Sequence, residues 1–140
     1  MSKYANAVWQ GTGKEGKGTL TTETKYLNET PFTYATRFGE AKDGTNPEEL
    51  VAAAHAGCFS MKLSFVLNEA GFTADKIETK CEITLADGSI KKSHLTLNAK
   101  VPGISNEKFQ ECAKNAKENC PITKSLNPTM EISMDATLSQ

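Results

Sequence analysis

Residues 46–72 read "NPEELVAAAHAGCFSMKLSFVLNEAGF". The fold turns on this stretch, because it carries every signal of one long helix. Thr45 or Asn46 supplies a cap, Pro47 suits the first turn, and Glu48 and Glu49 complement the positive end of the helix dipole. Gly71 is a natural stop. These signals predict a helix over 47–70, roughly 36 Å long at about 1.5 Å per residue. Its middle is apolar nearly all round, as in a helix buried by its own fold or by a partner chain. Ala53, Ala54, Ala56 and Gly57 keep its surface thin, so another backbone has room to approach. A central helix, packed against its own copy in a dimer, is the expectation.

Outward from that helix, the chain reads as short strands before it and a strand–helix mixture after it. "NAVWQG" (6–11), "TLTTET" (19–24) and "FTYATRF" (32–38) carry the β-branched and aromatic content of strands. The intervening "GTGKEGKG" (11–18) lacks the G-K-[ST] ending of a phosphate-binding loop and leads into strand-like residues, so a hairpin turn is expected. In "DKIETKCEITLADGSIKKSHLTLNAKV" (75–101), Ile77, Thr79, Cys81, Ile83 and Leu85 alternate onto one face. "ADGS" supplies a turn, and Leu95, Leu97, Ala99 and Val101 continue the face on the return strand. "SNEKFQECAKNAKEN" (105–119) is an amphipathic helix capped by Ser105, with Phe109, Cys112, Ala113 and Ala116 on its apolar side. A short helix restarts at Pro121, and "TMEISMDATL" (129–138) closes the chain as a strand. The order βββ–α–ββ–αα–β predicts an α+β class with helices on one side of antiparallel sheets.

At 140 residues the chain is expected to be one domain, 1–140. Its net charge of −1 gives no electrostatic reason to expect nucleic acid or an anionic membrane as partner. "MSKYANAVWQ" shows no apolar leader, and the apolar stretches read as too short for a membrane span, so a cytosolic location is expected. In a reducing compartment the four cysteines, Cys58, Cys81, Cys112 and Cys120, are free thiols, metal ligands or a redox pair rather than a disulfide framework. There is no C-x-x-C, and His55 and His94 lie outside zinc-finger spacing, so no metal site is expected.

Two of the cysteines stand out by their neighbours. Cys81 on a strand face and Cys112 on an apolar helix side are explained by packing. On the long helix, Glu48, His55, Cys58 and Lys62 share an arc of roughly 80° at about 100° per residue. Cys58 reads either as a core filler or as a reactive thiol, with His55 and Lys62 each one turn away and able to favour a thiolate. Cys120 stands where the next helix would take its N-cap, just before Pro121. Cysteine caps poorly, whereas a helix N-terminus favours a thiolate, so an accessible Cys120 suits a resolving or attacking role. Phe32, Tyr34, Phe38, Phe59 and Met61 read either as core or as the lining of an apolar pocket.

The long-helix sequence, with "TRF" (36–38) upstream and "NCPITKSL" (119–126) downstream, closely resembles the OsmC/Ohr family of thiol peroxidases, and within it the osmotically inducible protein C branch. The likeness runs nearly the whole length, "GKGTLTTET" (16–24) and "VPGIS" (101–105) included. It implies an OsmC-like intertwined homodimer with two long central helices and active sites at the interface. It implies that Cys58 is the peroxidatic thiol and Cys120 the resolving thiol. It further implies that Arg37 is the catalytic arginine and that Glu48 holds it. The implied reaction is reduction of organic hydroperoxides and hydrogen peroxide in stress defence, with no cofactor and an external dithiol reductant of lipoyl type. A redox sensor or a non-catalytic dimeric binding domain of the same fold is the alternative.

Overall fold

The glycine-rich stretch is a hairpin turn. It joins β1 (Ala5–Gln10) to β2 (Lys17–Thr22), which pair antiparallel, and β3 (Thr30–Phe32) adds to the other edge of β2. Gly18 is opposite both Trp9 and Phe32 in this sheet. A Cβ at Gly18 would lie 2.4 Å from the Phe32 ring and 2.5 Å from Trp9, so only glycine lets the two rings meet, 5.3 Å between centroids. The computed structural model describes residues 1–139, and the chain divides into two units, Met1–Leu50 and the residues from Val51 onward.

The strand expected through "FTYATRF" stops at Phe32, and residues Tyr34–Phe38 form a short helix, α1. The cause is local. The Thr33 side chain accepts from the Thr36 N–H at 3.2 Å, and the Thr36 side chain accepts from the Thr33 N–H at 2.8 Å. These threonines look like strand residues by composition, but their hydroxyls bond the nearby backbone and divert it from the ladder. Thr36 also donates to the Thr45 carbonyl, and the Asn46 amide donates to the Thr36 carbonyl, at 2.8 and 3.0 Å. Asn46 then caps the long helix, α2 (Pro47–Glu69), accepting from the Glu49 N–H at 2.7 Å.

In the second unit α2 runs on from Val51 and ends before Gly71, whose φ of +91° needs glycine. β4 (Lys76–Ala86) and β5 (Ser89–Lys100) form the expected hairpin, closed by Asp87 and Gly88 at φ +53° and +78°. The register slips between Thr84 and Leu85, which leaves Leu85 exposed instead of on the buried face. α3 (Asn106–Asn119) is capped by Ser105, and α4 (Pro121–Leu126) follows Cys120 directly. β6 (Glu131–Ser139) then pairs with β5 in parallel, so the second sheet is mixed rather than antiparallel throughout. The reason is topological. The two helices make a crossover that returns the chain to the same end of the sheet, and a parallel neighbour requires such a crossover.

Phe59, Leu63 and Leu67 of α2 bury fully with Leu95 and Leu97 of β5 and Phe109, Ala113 and Ala116 of α3. Each buried Phe or Leu contributes on the order of 1.5–3 kcal/mol. By length and hydropathy α2 would suffice to cross a bilayer, contrary to the expectation that every apolar stretch falls short. Here Phe59, Leu63, Val66 and Leu67 of that helix lie in the protein core, while Met61 and Phe65 are left exposed.

Candidate active site

The four residues that the sequence singles out form two pairs, one in each unit. In the first unit Arg37 stands on α1, and Glu48 on the first turn of α2. The guanidinium donates two hydrogen bonds to one carboxylate, Nε to Oε1 at 2.9 Å and Nη2 to Oε2 at 3.1 Å. This fork fixes the plane of the guanidinium. Arg37 also lies over the Phe38 ring at 4.9 Å. Hydrogen bonding and the charge of Glu48 raise the arginine pKa above its already high ordinary value, against a smaller opposing effect of burial. Around Arg37, the side chains of Trp9, Phe32, Tyr34 and Phe38 line a cavity of about 230 Å³.

In the second unit the Cys58 and Cys120 sulfurs lie 3.0 Å apart although 62 positions separate them in sequence. Both are free thiols. Cys58 is half-buried on α2. Cys120 is fully buried, which corrects the expectation of an accessible thiol: its side chain turns into the core cluster instead of capping α4. Burial pushes the Cys58 thiol up, and the adjoining Cys120 pushes it further. A backbone hydrogen bond from Ile122 and the charge of Lys62 oppose this. Of the two neighbours expected to favour a thiolate, Lys62 does so and His55 plays no such part.

Cys58 opens on a cavity of about 420 Å³ lined also by Met61, Lys62, Phe65 and Pro121. Its wall is mostly hydrocarbon. Phe59, considered for a pocket wall, is wholly in the core, whereas Met61 is 64% exposed and lines the cavity.

His55 is fully buried and both ring nitrogens have partners. Nδ1 lies 2.6 Å from Ser93 Oγ, and Nε2 lies 2.8 Å from Thr123 Oγ1. Ser93 also meets Cys81 Sγ at 3.1 Å. Burial lowers the His55 pKa, so the ring is neutral at pH 7. Sequence reading finds His55 but not Ser93 or Thr123. They are 38 and 68 positions away, and nothing in their identity marks them. Among the described residues no cluster of three or more His, Cys, Asp or Glu is arranged to hold a metal ion.

Residues 39–135 match the OsmC family, described as OsmC-like protein. The chain is 44% identical over 142 aligned residues to Peroxiredoxin OsmC of Escherichia coli K12, covering 99% of this chain and 97% of that protein. In structure it is similar to the organic hydroperoxide resistance protein OhrB of Bacillus subtilis. The TM-score there is 0.69 at 26% identity, over 96% of this chain and 98% of that one. The OsmC-like protein of Mycoplasma pneumoniae superposes with a TM-score of 0.79, over 100% of this chain and 99% of that one. At 15% identity this likeness is one of fold alone.

Proposed function

We propose a function from one premise: the chain belongs to the OsmC/Ohr family. It is a thiol-dependent peroxidase, and its substrates are organic hydroperoxides and hydrogen peroxide. The observation that carries the reading is the meeting of Cys58 and Cys120, sulfurs 3.0 Å apart across 62 positions. A second thiol that close can trap the oxidised form of a peroxidatic thiol before peroxide attacks again.

The Cys58 thiolate attacks one peroxide oxygen. A sulfur–oxygen bond forms, the oxygen–oxygen bond breaks, and the departing oxygen takes a proton to leave as alcohol or water. Cys58 becomes a sulfenic acid. Cys120 attacks that sulfur, and the hydroxyl leaves as water with the thiol proton, giving a Cys58–Cys120 disulfide. A dithiol of lipoyl type restores both thiols.

Burial holds Cys58 as a thiol in the single chain, and Lys62 opposes it only in part. The reading therefore assigns Arg37, aimed by Glu48, to hold the thiolate and the leaving oxygen within an assembled homodimer. Support for assembly comes from apolar side chains that the chain leaves exposed. Met61 and Phe65 on α2 and Val8 on β1 are each more than half exposed. The hydrocarbon wall beside Cys58 favours organic hydroperoxides. A reducing cytoplasm, which keeps such thiols ready, is the proposed location.

The test is peroxide consumption with a dihydrolipoyl reductant, using cumene hydroperoxide and hydrogen peroxide. Wild type turns over, Cys58→Ser is inactive, and Cys120→Ser completes one oxidation without sustained turnover. A Cys58→Ser protein as active as wild type overturns the reading. One oxidation without turnover in wild type would make the pair a redox switch instead.

A further inference from the structure

The thiol pair is not the sole link between α2 and α4. His55 precedes Cys58 by three residues on α2, and Thr123 follows Cys120 by three at the start of α4. His55 Nε2 meets Thr123 Oγ1 at 2.8 Å, while the two sulfurs meet at 3.0 Å. The two contacts thus form parallel rungs between the same elements, one helical turn apart. From the other side, Ser93 on β5 holds Nδ1 at 2.6 Å, which fixes the plane of the imidazole and points Nε2 at α4.

α4 needs such an anchor. It has six residues, and Cys120 gives it no side-chain cap. A helix this short is unstable by itself. Thr123 is its one buried residue, and its hydroxyl is bonded to His55. Shape alone does not explain a histidine here, since a neutral hydrocarbon of like size would fill the space without needing two hydroxyl partners. A fully buried imidazole bonded at both nitrogens specifies where its partners stand.

We propose that His55 is a positioning residue for the second half-reaction: through Thr123 it holds α4 so that Cys120 stays within reach of Cys58 once Cys58 has been oxidised. The proposal rests on the roles given to Cys58 and Cys120 above. His55 takes no proton and touches no peroxide. It keeps the attacking sulfur in place while the sulfur–oxygen bond of the sulfenic acid breaks and the sulfur–sulfur bond forms.

The test separates the two half-reactions in Thr123→Val, which removes the hydroxyl and keeps the shape, beside Thr123→Ser, which keeps the hydroxyl. Each protein receives one equivalent of cumene hydroperoxide for the rates of the two half-reactions, and a rising excess of it for sulfinic acid, whose formation consumes a second peroxide. Sulfenic acid trapping follows Cys58 oxidation, and mass spectrometry follows disulfide and sulfinic acid. Thr123→Val is expected to oxidise Cys58 at the wild-type rate, close the disulfide about tenfold more slowly, and accumulate sulfinic acid at about tenfold lower peroxide. Thr123→Ser is expected to recover the wild-type rate. Ser93→Ala loosens the same imidazole from its other side and stands in should Thr123→Val not fold; it too is expected to slow disulfide closure alone. Closure at the wild-type rate in Thr123→Val or Ser93→Ala, or no recovery in Thr123→Ser, overturns the proposal. A wild-type protein that forms no disulfide with peroxide overturns instead the roles of Cys58 and Cys120.

Discussion

Arg37 and Glu48 make a contact in which geometry matters more than charge. The fork of two hydrogen bonds sets the guanidinium plane, and Arg37 is exposed enough that the ion pair adds little to stability. Arg37→Lys keeps the charge and loses the fork. It is expected to lower kcat/KM for cumene hydroperoxide at least about tenfold, with the thermal midpoint almost unmoved. Steady-state kinetics and a thermal melt on the same sample check both halves; a variant that keeps full kcat/KM would show that the plane of the group is irrelevant. The same residues mark how far sequence reaches. Arg37, Glu48, Cys58 and Cys120 stand out because motifs carry them. Ser93 and Thr123 escape because a serine on a strand and a threonine in a short helix are ordinary, and only the fold brings both to His55.

At the scale of elements, α2 was legible almost to the residue, because capping, dipole and stop signals agreed. α1 was not, since two threonines bonding their own backbone resemble two threonines in a strand. Nor was the direction of β6. Its alternation fixes that it is a strand, while its pairing depends on where α3 and α4 return the chain. The exposed side of α2 was half legible: its small residues suggested close approach, and Met61 and Phe65 now mark an uncovered apolar surface beside them. Phe65→Asp puts a charge on that surface. Since Phe65 is 58% exposed, the chain itself is expected to fold as before, judged by circular dichroism. For the proposed homodimer, the dissociation constant should rise at least about a hundredfold, the effect of burying an unpaired charge. Sedimentation across a dilution series reads this directly, and an unchanged association state would place the subunit contact elsewhere.

For the whole molecule, the sequence conveyed the class and the element order apart from α1, while the mixed second sheet and the meeting of the two thiols came from tertiary structure. Chain connectivity makes that meeting matter beyond chemistry. A bond between Cys58 and Cys120 would close a loop of 62 positions. In the chain-entropy account, closing a loop of that size removes up to about 4 kcal/mol of disorder from the unfolded chain. The peroxide-oxidised protein should therefore melt on the order of 10 °C above the reduced one, and Cys120→Ser should show no such rise. Equal midpoints would mean that oxidation strains the native state as much as it restrains the unfolded one. Where the rise is found, heat tolerance becomes a record of exposure. A population of these molecules that has just met peroxide is the one best able to survive a temperature shock, and it gives up that tolerance each time a reductant readies it for the next turnover.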